Sequence, residues 1–177
     1  GKLAGSHGDA VVKLLVTRGS AAQRGYGITG NEGCRSILYV YPAAESTDIP
    51  DVVCAATLQA RLGENPRLAG IKHCNRLEQV LARVELQSTG AYEGLMGSGS
   101  GRLISGTMSN VFIEMEGGLV TPVLDQCGIA GVMRAVVIRE ASAMDMAVRI
   151  ADIPMSALDD CRGLFMTNVR LGVLPVS

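Results

Sequence analysis

The pairings that make cysteine and histidine chemically informative are missing from this sequence. Cys34, Cys54, Cys74, Cys127 and Cys161 include no C-x-x-C pair, and there are only two histidines. That spacing excludes a cysteine-histidine metal centre and a disulfide framework, and it implies a reducing, cytoplasmic setting. Neither sign of charge dominates. Lysine and arginine number 16 against 17 acidic residues, for a net charge of -1, so bulk charge would recruit neither a nucleic acid nor a membrane surface. No apolar run reaches the roughly 20 residues of a membrane span, and the N-terminus lacks a basic-then-apolar leader pattern. Internal repeats and low-complexity tracts are absent too. What remains is a chain of 177 residues, 47% of them hydrophobic, long enough for one or two domains with a core. Its partners are expected to be small molecules.

Residues 10–17 form a valine- and leucine-rich run broken only by Lys13, which predicts a mostly buried strand. A long glycine-rich loop carrying Arg24 and Tyr26 follows, and residues 35–41 return as a second, strongly β-prone strand. Residues 42–50, P-A-A-E-S-T-D-I-P, are polar and bounded by prolines. They predict a linker between the end of a small domain, 1–41, and a larger domain, 51–177.

In the larger part, residues 52–58 read as a strand and 63–66 as a turn. From Asn75 the apolar residues Leu77, Val80, Leu81 and Val84 fall at helical spacing, which predicts a helix that buries this stripe and ends near Gly90. Strands at 92–96 and 102–105 flank G-S-G-S-G, a turn with no rigidity of its own. Strands at 110–115 and 119–121 flank E-G-G. This run of hairpins predicts an antiparallel, barrel-like sheet. A second helix is predicted over 128–144, and its glycine-bearing start would be a phosphate site built from backbone N–H groups alone. Residues 147–150 and 164–167 read as strands, 154–160 as a short helix, and a last strand follows Gly172. The fold class expected from this mixture is α+β.

The segment L-A-G-I-K-H-C-N-R-L-E-Q-V-L, residues 68–81, puts Lys72 just ahead of the first helix. Spacing alone reads it as a solvated surface lysine. The motif as a whole says more, together with V-T-R-G-S-A-A-Q-R-G-Y (16–26), G-R-L-I-S-G-T-M-S-N-V-F (101–112), T-P-V-L-D-Q-C-G-I-A-G-V-M-R (121–134) and T-N-V-R-L-G-V-L-P-V (167–176). These segments resemble the class IV pyridoxal-phosphate enzymes, and in detail the lyases of that family that act on 4-amino-4-deoxychorismate. The resemblance spans nearly the whole chain.

It implies the fold of that family and pyridoxal 5'-phosphate as cofactor. Lys72 would carry the cofactor and then act as general base. Val132 and Met133 would offer backbone N–H groups to the phosphate, with Asn168 and Val169 along its other side. Ser105 stands where the family usually has a glutamate facing the ring nitrogen, and Val169 where a hydroxyl is common. Arg24 and Tyr26 would bind the substrate carboxylate. The resemblance also implies a homodimer, and it implies that the first part of the small domain, with the family's phosphate-binding arginine, is missing. The expected reaction converts 4-amino-4-deoxychorismate to 4-aminobenzoate and pyruvate for folate synthesis. A D-amino-acid or branched-chain aminotransferase of the same fold, and a relative that keeps the fold without the chemistry, remain as alternatives.

Overall fold

The computed structural model describes residues 9–21, 24–30, 32–42 and 50–177. The chain divides into two units, Gly1–Asp48 and Ile49–Ser177. Apart from Pro42 and Pro50, the linker expected at 42–50 lies outside the described residues.

The first unit is a ribbon of two strands, β1 (Ala10–Thr17) and β2 (Arg35–Pro42), paired antiparallel from Ala10 opposite Pro42 to Thr17 opposite Arg35. The expectation that the first strand is mostly buried does not hold, since Val12, Leu14 and Val16 are exposed. A two-stranded ribbon has no inner strand, and within this unit no second layer among the described residues covers either face. Glu32 organises part of the connecting loop. Its carboxylate accepts hydrogen bonds from the N–H and hydroxyl of Thr29 and from the N–H of Gly30, and it pairs with Arg18 at 3.6 Å. The Thr29 N–H leads the contacts that pull its pKa down to about 2.

The second unit is α+β. Its elements are β3 (Ala55–Leu62), α1 (Leu77–Leu86), β4 (Glu93–Ser98), β5 (Leu103–Gly106), β6 (Asn110–Met115), β7 (Gly118–Pro122), α2 (Val132–Ala143), β8 (Val148–Ala151), a 3-10 turn (Met155–Leu158), β9 (Gly163–Asn168) and β10 (Gly172–Val176). They form a sheet of order β3-β4-β5 and another of order β10-β9-β6-β7-β8. Strands joined by turns pair antiparallel, as the hairpin pattern predicts. Where a helix intervenes the result differs: β3 and β4, joined through α1, run parallel, and so do β7 and β8, joined through α2. A helical crossover carries the chain back to the end it started from, so the next strand repeats the direction of the last.

Both faces of β4 and β5 are covered. Met96 and Ile104 point into a cluster with Leu58, Leu62, Ala82 and Leu86, while Leu95 and Leu103 join Val111, Ile113, Val120, Ile153 and Met166. The alternation of neighbouring residues between the two clusters is the period-two geometry of a strand buried on both sides.

The helix after Lys72 buries a different face from the one its apolar stripe predicts. Leu77, Val80, Leu81 and Val84 are 64%, 55%, 58% and 61% exposed, and the buried residues are Ala82 and Leu86. The cause lies in β3, whose register to β4 shifts between Thr57 and Arg61. Backbone donors there need partners, and α1 supplies them. Glu85 accepts from Gln59 N at 2.6 Å and from Ala60 N at 2.9 Å, and Glu78 accepts from Gly63 N at 2.9 Å. The Gln59 N–H, followed by that of Ala60, holds the Glu85 carboxyl below its usual range. Small Ala82 lets the helix lie close enough for these bonds, so the larger apolar stripe faces away from the core.

Two local expectations also change. The second helix begins at Val132, not at residue 128, because Gly128 has φ 90, a left-handed conformation that no helix continues. The G-S-G-S-G turn is held in place, since Ser98 Oγ and Ser100 Oγ lie 2.9 Å apart and Ser100 Oγ donates to Glu64 at 2.6 Å.

Candidate active site

Gly70 anchors the lysine segment to the turn ahead of α2. Its N–H donates to Gly128 O and its carbonyl accepts from Ala130 N, both at 3.0 Å. With φ 79, Gly70 makes a bend that side-chain-bearing residues rarely adopt. Asn110 grips the same turn from β6, donating through Nδ2 to Ile129 O at 2.8 Å. The approach is so close that a Cβ on Gly131 would stand 2.0 Å from Asn110 Oδ1, so any larger residue at the helix N-cap would push the Asn110 side chain off its bond to Ile129 O.

These contacts fix where α2 begins. Ala135 N makes the helix's first i to i-4 bond, to Gly131 O at 3.1 Å. The N–H groups of Val132, Met133 and Arg134 come before it and have no helical acceptor. They stand at the positive end of the helix dipole and suit an anion. Arg134 moors this turn to β7 with bonds from Nε to Thr121 Oγ1 at 3.2 Å and from Nη2 to Pro122 O at 2.9 Å.

A cavity of about 590 Å³ opens in front of the helix start. Lys72, Ser105, Val132, Met133, Asn168 and Val169 all border it, so the residues assigned to the cofactor from the sequence converge on one space. Arg76 and Arg170 border it as well, and no carboxylate does. The lining is therefore cationic and matched to an anionic ligand.

Ser105 is buried and its hydroxyl donates to Gly106 O at 2.9 Å. Asn168 shapes the facing turn: its Oδ1 accepts from Arg170 N at 2.9 Å and from Leu171 N at 2.7 Å, while Nδ2 donates to Met108 O at 3.3 Å. Its side chain is thus committed to the backbone. The side chain of Val169 is exposed. Arg24 and Tyr26 belong to the first unit, where Tyr26 is fully exposed in the glycine-rich loop.

One contributor is invisible to motif reading. Glu93 on β4 is 1% exposed, and its carboxylate accepts from Thr107 N at 3.1 Å, Thr107 Oγ1 at 2.5 Å, Met108 N at 3.3 Å, Ser109 Oγ at 3.0 Å and Gly94 N at 2.9 Å. It thereby sets the path of residues 106–109, which form one wall of the cavity. The available signal was a lone carboxylate within the apolar run at 92–96, facing a later stretch of small polar residues. Among the described residues no group of histidine, cysteine and carboxylate side chains could hold a metal ion. No helix there is long and apolar enough to cross a membrane.

The family described as Amino-transferase class IV matches residues 2–177. The aminodeoxychorismate lyase of Vibrio harveyi is 35% identical over 171 residues, which cover 96% of this chain and 63% of the relative. A probable branched-chain-amino-acid aminotransferase of Thermotoga maritima is 32% identical over 106 residues, 60% of this chain and 38% of the relative. Among solved structures, the 4-amino-4-deoxychorismate lyase from Pseudomonas aeruginosa superposes with a TM-score of 0.85 at 39% identity, covering 96% of this chain and 63% of that one. The branched-chain amino acid aminotransferase from Escherichia coli gives 0.80 at 21% identity over 94% and 55%, a likeness of fold alone. The chain spans less than two thirds of the length of these relatives.

Proposed function

The chain belongs to the class IV aminotransferase family, and from that premise we propose that its second unit binds pyridoxal 5'-phosphate and converts 4-amino-4-deoxychorismate to 4-aminobenzoate and pyruvate, a step of folate synthesis. The observation that carries this reading is the convergence of Lys72 and the first turn of α2, whose leading N–H groups have no helical acceptor, on one cationic cavity. The residues present fit the cofactor. The N–H groups of Val132 and Met133 would hold its phosphate, with Asn168 and Val169 along the other side, and Ser105 would face its ring nitrogen. When bound, the cofactor supplies an electron sink for loss of a proton beside the substrate's amine. Lys72 Nζ would hold the cofactor and, once released from it, would take the proton from C4 of the substrate; the neighbouring ether C–O bond would then break, its electrons leaving with the enolpyruvyl group, which gains a proton to become pyruvate. Arg24 and Tyr26 are proposed to bind a substrate carboxylate through charge-assisted bonds. The unpaired cysteines fit a reducing, cytoplasmic setting.

The test is a paired assay on the purified protein with pyridoxal phosphate. Incubation with 4-amino-4-deoxychorismate should release 4-aminobenzoate and pyruvate in equal amounts, with little pyridoxamine phosphate formed from branched-chain or D-amino acids. The reverse outcome would identify an aminotransferase. Cofactor binding with neither product would withdraw the lyase reading.

A homodimer is part of the proposal, and the exposed stripe of Leu77, Val80, Leu81 and Val84 supports it. Leu81→Asp is expected to leave the circular dichroism unchanged while lowering the light-scattering mass from dimer to monomer. An unchanged dimer mass would move the interface to another surface.

A further inference from the structure

Lys72 lies in an irregular stretch. Ile71 N donates to Leu68 O at 3.1 Å, and regular structure resumes only at Leu77, where α1 starts. A side chain carried on such a stretch points in one direction only if something fixes the backbone on both sides of it. Arg76, the N-cap residue of α1, turns its side chain back along the chain. Nε donates to His73 O at 2.9 Å and Nη2 donates to Ile71 O at 3.1 Å. These are the carbonyls that flank Lys72. The guanidinium is half-buried at the cavity border, with its donors aimed at the backbone.

The geometry points to Arg76 as a positioning residue that holds the carbonyls on either side of Lys72 and so aims the lysine amine into the cavity. This rests on the reading of Lys72 as the cofactor lysine. The chemistry of the clasp is specific to arginine. A planar fork presents N–H donors at fixed angles and can meet two carbonyls at once, whereas an ammonium on a flexible stem meets them as a point charge with no preferred directions. Misplacing a reacting group by about 1 Å can cost on the order of 100-fold in rate, so loss of the clasp should be visible even if the fold survives.

The first measurement needs no cofactor. Hydrogen exchange on the unloaded protein should show the amide of Ile71, which is held by Leu68 O, exchanging at least about 10-fold faster in Arg76→Ala than in the parent, while the amides of residues 80–86 in α1 keep their protection. The second is the rate at which pyridoxal phosphate becomes trappable on Lys72 by borohydride, expected to fall about 10- to 100-fold in Arg76→Ala. Arg76→Lys should stay within about 3-fold of the alanine variant, and added guanidinium at millimolar concentration should partly restore it. Unchanged exchange at Ile71 would overturn the proposal, and so would faster exchange throughout α1, which would make Arg76 a stabiliser of the helix end. Trapping at the parental rate in Arg76→Ala would also overturn it. If the parent itself is not labelled at Lys72, the cofactor reading fails, and the exchange result shows separately whether the clasp exists.

Discussion

Replacing Lys72 with alanine is expected to lower formation of 4-aminobenzoate by about 1000-fold or more, because in the proposed reading one side chain would both attach the cofactor and move the proton, and both roles would be lost together. The same change should leave the melting temperature within about 2 °C of the parent, since exposed side chains outside the core contribute within about 0.5 kcal/mol. Lys72 is exposed and belongs to neither apolar cluster. That separation of effects makes the experiment informative. Borohydride reduction in the presence of pyridoxal phosphate, followed by peptide mapping, should place the pyridoxyl group on Lys72 in the parent and nowhere in the variant. A label on Lys13, or an undiminished rate in Lys72→Ala, would remove Lys72 from the chemistry.

The strands of the second unit were legible because turn residues and β-prone runs alternate along the chain; β6 coincides with the predicted span 110–115. Directions were harder to read. The parallel pairs depend on α1 and α2 acting as crossovers, and a strand's own residues carry no mark of that. The orientation of α1 was misread for a related reason. Its apolar stripe is stronger than the Ala82 and Leu86 face, but the face turned inward carries Glu85 and Glu78, which accept from the N–H groups of Gln59 and Ala60 on β3 and of Gly63 just after it. At the candidate site, Lys72 and its companions were legible as motif positions, and the structure gathers them around one cavity. Arg76 and Glu93 were not. A motif reports which residue stands at a position, whereas their roles are defined by which backbone groups lie within about 3 Å of a side-chain tip.

Glu93→Ala is expected to destabilise the protein by several kcal/mol, at about 1–3 kcal/mol for each buried donor left without an acceptor. The carboxylate acts only as an acceptor, and every contact recorded for it comes from a donor: the N–H groups of Gly94, Thr107 and Met108 and the hydroxyls of Thr107 and Ser109. Alanine would leave those donors unpaired in a site that is 1% exposed. The glutamine variant separates charge and acceptor capacity from shape. Its carbonyl oxygen can replace Oε1 toward Gly94 and Thr107, but its amide would then meet Met108 N and Ser109 Oγ. The hydroxyl can rotate to accept; the Met108 N–H cannot. One buried donor facing another should cost about 1–3 kcal/mol and push Met108 and Ser109 away from β4. Gly106 allows no easy relaxation, since a Cβ there would already stand 2.1 Å from Ser109 Oγ and 3.1 Å from the Glu93 carboxyl carbon. Because residues 105–110 border the cavity, the displacement should raise the dissociation constant for pyridoxal phosphate by about 10-fold, equivalent to about 1.4 kcal/mol. Denaturant unfolding at constant m-value gives the stability change, and fluorescence titration of the unloaded protein gives the affinity. If Glu93→Gln loses stability but binds the cofactor as tightly as the parent, the wall at 106–109 keeps its shape without the carboxylate, and Glu93 serves the fold alone.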